Sequence, residues 1–205
     1  MAYNYLFKLL LIGEPCVGKT SVASRLSQKQ FNPVYDETIG VEFSTCYSHI
    51  YNNLLIKCQL WDTSGRKAFL PVIDSYYKGV AGIILVYDVS NRNSFDRIGF
   101  WLNEINKNKR KDEHVNILLL GNKVDKINRV VSFEEGKEKA AKNNCSFFET
   151  SAKLNENIAE IKKEFCKTIF DNYDVTVGHS GVKLPVELSL VEKNNELDND
   201  CCYIC

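Results

Sequence analysis

Apolar residues recur along this chain with two spacings, one of strands and one of helices, and the two alternate. Leu6 to Ile12 is almost continuously apolar, as expected of a strand buried on both faces. A helix-compatible segment from Lys19 to about Gln30 follows it. Phe43 to Tyr51 and Leu54 to Trp61 flank the turn-prone pair Asn52-Asn53 and predict a hairpin that adds one antiparallel edge strand. Ala81 to Tyr87 and Val115 to Leu120 are two further apolar strands. Between them, Ser94 to Lys107 sets Phe95, Ile98, Trp101, Leu102 and Ile105 on one helical face, with Ser94 as the expected N-cap. Ser132-Phe133-Glu134-Glu135 opens a helix to about Asn143 with a capping box, and Cys145 to Phe148 makes a short last strand. A closing helix runs from about Asn155 to Phe170, striped by Ile158, Ile161, Phe165 and Ile169. Strand and helix alternate without an internal repeat. The predicted fold is α/β: a six-stranded, mostly parallel sheet with one antiparallel edge strand and helices on both faces.

Beyond about Asp174 the periodicity fades, and Gly178, Gly181, Pro185 and an Asn/Asp/Glu-rich run predict a flexible tail. The expected division is a globular domain over 1–174 and an acidic tail over 175–205. The chain has 26 basic and 26 acidic residues, so its net charge is zero. From Asp171 onward seven acids face two lysines, which leaves residues 1–170 five positive. No strong overall pull toward nucleic acid follows, and no nucleic-acid partner is expected. An acidic tail does not by itself adhere to anionic lipid. Five of the eight cysteines (Cys16, Cys46, Cys58, Cys145 and Cys166) are scattered singly and read as buried reduced thiols rather than a disulfide scaffold. No apolar run approaches the roughly 20 residues of a membrane span. The start of the chain does not have the form of a signal peptide, and the sequon at Asn144 is read as unused.

The candidate chemistry begins at Gly13-Glu14-Pro15-Cys16-Val17-Gly18-Lys19-Thr20, between the first strand and the first helix. Glycines in that position let successive backbone N–H groups face an anion at a helix N-terminus. Lys19 then suits β- and γ-phosphate oxygens, and Thr20 suits Mg²⁺. The stretch reads as a phosphate cradle, the pattern of a P-loop NTPase, rather than a Gly-containing turn that matches it by chance. A second phosphate-side element ends the third strand at Leu60-Trp61-Asp62-Thr63-Ser64-Gly65, where Asp62 can hold a metal through its water shell, unless it serves only to form the turn. Gly65 can bring a backbone N–H to the γ-phosphate.

Downstream, Gly121-Asn122-Lys123-Val124-Asp125 and Glu149-Thr150-Ser151-Ala152-Lys153 follow buried strands. With these motifs the chain resembles a small GTPase. A carboxylate at Asp125 can accept from guanine N1–H and N2–H₂, groups adenine does not offer, which makes GTP and GDP the expected ligands. The resemblance implies that Asn122 braces the phosphate loop, Lys123 lies along the base, the Ala152 N–H meets guanine O6 and Phe31 stacks on the base. It also places Ser21, Tyr35, Ser151 and Lys153 at the nucleotide. Thr38-Ile39-Gly40-Val41-Glu42-Phe43, Tyr76-Tyr77-Lys78-Gly79 and Leu85-Val86-Tyr87-Asp88 narrow the likeness to Rab proteins, and the first eight residues are similar to the branch assigned to traffic between endoplasmic reticulum and Golgi. That resemblance implies a monomeric switch in vesicle transport. Thr38 would complete Mg²⁺ coordination only with a γ-phosphate present, and residues near 33–43 and 63–79 would be the switches.

Several partners follow from the same likeness. Ile39, Gly40, Val41, Glu42, Phe43, Trp61 and Tyr76 would form an effector surface. An exchange factor, a GTPase-activating protein, a GDP-dissociation inhibitor and a prenylation escort are the other implied partners. Cys201 and Cys202 in Cys201-Cys202-Tyr203-Ile204-Cys205 fit double geranylgeranylation, which would hold the protein on the cytosolic face of intracellular membranes; one prenyl group on Cys202 is the weaker alternative.

The chain departs from the family where a glutamine orients the attacking water, because Arg66 stands there, followed by Lys67 where Glu is usual. Arg cannot accept a hydrogen bond, although its guanidinium can reach toward a γ-phosphate. Pro15 and Cys16 also replace small residues at that face of the loop. Lys19, Thr38, Gly65 and Arg66 are the expected catalytic set, with slow hydrolysis that depends on a partner. A GTP-locked membrane adaptor and an unrelated P-loop phosphotransferase are the rival readings.

Overall fold

A computed structural model describes residues 2–27, 30–33, 37–51, 54–109, 115–173 and 182–183. In chain order the elements begin with β1 (Tyr5–Ile12), α1 (Lys19–Leu26), β2 (Val41–Ile50) and β3 (Leu54–Thr63). Next comes α2 (Leu70–Ile73), flanked by 3₁₀ turns at Lys67–Phe69 and Asp74–Tyr77. Then follow β4 (Gly82–Asp88), α3 (Arg92–Asp96), α4 (Ile98–Asn108), β5 (Asn116–Asn122), α5 (Phe133–Lys142), β6 (Ser146–Thr150), α6 (Ile158–Asp171) and β7 (Val182–Lys183).

The six-strand path of the sheet runs β2-β3-β1-β4-β5-β6, parallel except for the edge pair β2 and β3, and β7 pairs antiparallel with β1 beside that path. The six-strand path is the expected sheet. Alternation along β1 explains how it carries helices on both sides. Phe7, Leu9 and Leu11 pack with Val22 and Leu26 of α1 and with Ile161 and Phe165 of α6, whereas Leu10 and Ile12 pack with Phe95, Trp101 and Ile105 of α3 and α4. The parallel arrangement delivers the carboxyl ends of β1, β3, β4 and β5 to one edge, where ligands of open α/β sheets bind.

Four local expectations are corrected. The helix cap is Asn91, not Ser94: the Asn91 side chain accepts from the Ser94 N–H, while the Ser94 hydroxyl donates to Asn91 O at 2.7 Å and accepts from Asp88 N. Ser94 thus lies inside a short helix, and the single helix expected over 94–107 is two, α3 from Arg92 to Asp96 and α4 from Ile98 to Asn108, which meet at Arg97. The stretch 67–77, for which no element is predicted, forms three short helical turns that bury Ile73 and Tyr77. Cys46, Cys58 and Cys166 are buried as expected, but Cys16 is exposed with φ 63°, and Cys145 is only partly buried. Finally, two residues of the expected tail enter the sheet. Val182 and Lys183 pair antiparallel with Phe7 and Leu6, and Val182 is buried in the core. Asn52 and Asn53, Tyr35, and the tail cysteines Cys201 and Cys202 lie outside the described residues.

Candidate nucleotide-binding site

The carboxyl edge of the sheet carries a cleft of about 420 Å³. Its lining joins the phosphate loop (Pro15, Cys16, Gly18, Lys19, Thr20, Ser21) to the downstream motifs (Asn122, Lys123, Asp125, Ala152, Lys153). Phe31, Thr38, Gly65 and Arg66 close its remaining wall.

At one end α1 begins without a side-chain cap. Its N-cap is Gly18, in the left-handed region at φ 96°, and no acidic side chain occupies its first turn. A Cβ on Gly18 would also lie 2.4 Å from Asn122 Nδ2, so both the angle and the space require glycine. The contrast with α5 is instructive, because there Ser132 and Glu135 satisfy each other's backbone N–H groups in a full capping box. The open terminus of α1 leaves its N–H groups and its dipole for an anion.

Lys19 sits beside it, 6% exposed, with Nζ donating to Gly13 O and Glu14 O at 2.9 Å. Burial lowers its pKa to about 8, against the pull of Asp62 and Glu14, so a phosphate there would restore the charge that burial disfavours.

Thr20, Thr38 and Asp62 converge at the same end. Thr20 Oγ1 donates to Asp62 Oδ2 at 2.6 Å and lies 2.9 Å from Thr38 Oγ1. Burial pushes the Asp62 carboxyl up to about 6, opposed by the Thr20 hydrogen bond and Lys19, and its buried Oδ1 has no hydrogen-bond partner among the described residues. An unpartnered buried carboxylate oxygen beside two hydroxyls is a hard-oxygen donor set that fits Mg²⁺. Gly65 is pressed against the loop, where a Cβ would fall 2.4 Å from Pro15 N and 2.6 Å from Gly13 O. No side chain fits there.

The other end is cross-tied. Asn122 Nδ2 donates to Val17 O at 2.9 Å while its Oδ1 accepts from Ala152 N at 3.2 Å, so one buried side chain joins both motifs to the phosphate loop. The Ser151 hydroxyl donates to Asp125 Oδ1 at 2.6 Å. Phe31 lines the cleft with the Arg25 guanidinium 5.8 Å from its ring.

Several expected site residues do not face the cleft. The Glu14 side chain points away, accepting from Arg97 Nε at 3.2 Å and Trp101 Nε1 at 3.0 Å. Gly13, Val17, Asp62 and Ser151 are not in the lining but hydrogen-bond to residues that are: Gly13 O accepts from Lys19, Val17 O from Asn122, Asp62 from Thr20, and Ser151 donates to Asp125. Of the effector residues, Ile39, Gly40 and Val41 are exposed or half-exposed, as are Glu42 and Phe43. Phe43 stacks edge-on against Trp61 at 4.9 Å, and Trp61 packs on Tyr76 at 5.2 Å.

Three further groups are not among the expected site residues. Asp88, at the carboxyl end of β4, pairs with Lys123 at 2.8 Å and Lys126 at 3.4 Å. Burial alone would raise its pKa, yet the hydrogen bonds from Lys123 and Ser90 hold it below the usual carboxylate range. An acid ending an apolar strand is the same signal that points to Asp62. Arg25 donates to the carbonyls of Ala152 and Lys153 at 2.8 and 3.0 Å, fixing that loop from α1. Glu37 meets Arg66, with Nη2 2.6 Å from Oε2. No local sequence pattern marks that pair.

The model of the Ras family matches residues 8–171. The GTP-binding protein ypt3 of Schizosaccharomyces pombe is 40% identical over 184 residues, which covers 88% of this chain and 85% of that protein. The Ras-related protein SEC4 of Candida albicans is 36% identical over 206 residues, covering 98% of this chain and 96% of that protein. The chain therefore belongs to the Ras family and is one of its Rab-like GTPases.

Proposed function

We propose that this Rab-like GTP-binding switch of vesicle-mediated transport holds its nucleotide along the cleft, phosphates at the α1 N-terminus and guanine at Asp125. The observation that carries this is the continuity of one cleft from the uncapped helix end and Lys19 to Asp125. Gly13 to Ser21 would cradle the phosphates, Asn122 would brace the cradle, and Lys123, Phe31, Ala152 and Lys153 would surround the base. Thr20 and Thr38, with Asp62, would hold Mg²⁺, which when bound neutralises charge on the β- and γ-phosphates. The chain's own residues set the rest. Lys19 offers a buried cation to the phosphate oxygens, and Gly65 permits a backbone approach that a side chain would block.

Hydrolysis is proposed to be slow without a partner. Arg66 has donors only, and its guanidinium is engaged by Glu37, so neither an acceptor for the attacking water nor a free arginine stands at that position. A partner's side chains would supply what Arg66 does not. The relatives lend no support to a GTP-locked adaptor, and family membership sets aside an unrelated phosphotransferase. Ile39, Phe43, Trp61 and Tyr76 are proposed as the centre of an effector surface, on the strength of the exposed Ile39 and Phe43 and the half-buried Trp61 and Tyr76 stacked behind Phe43. Prenylation at Cys201 and Cys202 is proposed to hold the protein on cytosolic membrane faces; among the described residues no helix is long and apolar enough to cross a membrane. Of the expected tail, Val182 and Lys183 pair with β1, and its other residues lie outside the described residues.

The test is single-turnover GTP hydrolysis by the purified protein and by Arg66→Gln. The wild-type rate should be low and the variant faster. Equal, fast rates would contradict the assignment of Arg66 as the cause of slow turnover.

A further inference from the structure

We propose that Arg66 and Glu37 form a clasp that holds Thr38 at the metal end of the cleft, making Glu37 a positioning residue for retention of the triphosphate. The proposal rests on reading the cleft as a guanine-nucleotide site. The antiparallel register of β2 and β3 ends at Val41 opposite Thr63. The pairing nevertheless continues over the cleft. Ser64 N donates to Gly40 O at 2.9 Å, and beyond it Glu37 and Arg66 meet through both carboxylate oxygens, Nη2 on Oε2 at 2.6 Å and Nε on Oε1. Thr38 lies between these two rungs, with Oγ1 2.9 Å from Thr20 Oγ1. Residues 37 and 40 are thus tied to residues 66 and 64 on either side of the one hydroxyl that segment 37–40 brings to Thr20 and Asp62.

The geometry also sets how large the effect can be. A planar guanidinium gripping a carboxylate at two points fixes orientation as well as distance. Both partners also line the cleft, so closing the clasp closes the wall around the triphosphate. The Arg66 and Glu37 side chains are 59% and 34% exposed, however, so water and salt weaken the pair, and a few-fold effect is the proper scale. The restraint acts on Thr38, which is proposed to engage only the triphosphate state. Release of GTP should therefore respond more than release of GDP.

The test is a double-mutant cycle on dissociation of a fluorescent, non-hydrolysable GTP analogue and of fluorescent GDP from the full chain with Mg²⁺ present. Glu37→Ala and Arg66→Ala should each speed release of the GTP analogue about two- to fivefold, and the double variant no further, with a smaller change for GDP. Additive effects, equal effects on both nucleotides, or unchanged rates would overturn the clasp. A wild-type chain that retained neither nucleotide would overturn the reading of the cleft and the clasp with it.

Discussion

The two ends of the cleft are built differently. At the end proposed for the base, Asn122 is 1% exposed and tied to both the phosphate loop and Ala152, Ser151 is fully buried against Asp125, and Arg25 reaches over from α1 to two carbonyls. At the end proposed for the switch, the ties of segment 37–40 among the described residues include one backbone bond, the Thr38–Thr20 contact and an exposed ion pair. Buried hydrogen bonds lose about 1–3 kcal/mol each when a partner is removed, whereas an exposed pair is worth well under about 1 kcal/mol in most cases. A base end that keeps its shape and a γ-phosphate end that is cheap to rearrange is the asymmetry a nucleotide switch needs.

The largest effect should come from Asn122→Ala, which breaks two buried ties at once. GDP affinity should fall by about 2–4 kcal/mol, roughly 30- to 700-fold, as read by fluorescent-GDP titration. A loss of less than about threefold would mean that the base end is not braced by Asn122. Removing Mg²⁺ with a chelator should act at the opposite end and come next. Release of a GTP analogue should accelerate roughly 10- to 100-fold, because the orphaned Asp62 oxygen and its two hydroxyl neighbours would lose the cation proposed to satisfy them. Unchanged release would show that these residues do not hold a metal. A smaller change is expected of Asp88→Asn, which leaves Lys123 and Lys126 without their shared carboxylate. Affinity for both nucleotides should fall about 3- to 10-fold together, since Lys123 belongs to the base end. A selective loss of GTP would place Asp88 in the switch machinery instead. The smallest effect concerns ionic strength. At about 1 M salt the screening length is about 3 Å, so the Arg66→Ala phenotype should nearly vanish while that of Asn122→Ala persists.

What could be read from the sequence follows the same division. The base motifs begin in the last residues of β5 and β6, and parallel pairing alone carries Asn122 and Thr150 to neighbouring positions in the sheet. The capping box of α5 and the β2–β3 hairpin likewise depend on residues within a few positions of one another. Glu37 and Arg66 are 29 residues apart, and nothing local in either segment specifies the other. β7 was hidden for the same reason: a two-residue strand has no periodicity, and its partner lies at the other end of the chain. Ser94 looked like a cap because a serine before an apolar stripe usually is one, but its hydroxyl is taken by the end of β4. The helical turns at 67–77 carry too few residues to show a stripe.

Guanine selection by Asp125 within the braced base end is the claim on which the whole account depends. It is tested most directly by displacing bound fluorescent GDP with unlabelled GTP or ATP. GTP should displace it at near-equimolar concentration, and ATP only at an excess of at least roughly a thousandfold, because adenine lacks the N1–H and N2–H₂ donors that the Asp125 carboxylate is proposed to accept from. Displacement by ATP at concentrations similar to GTP would contradict the account.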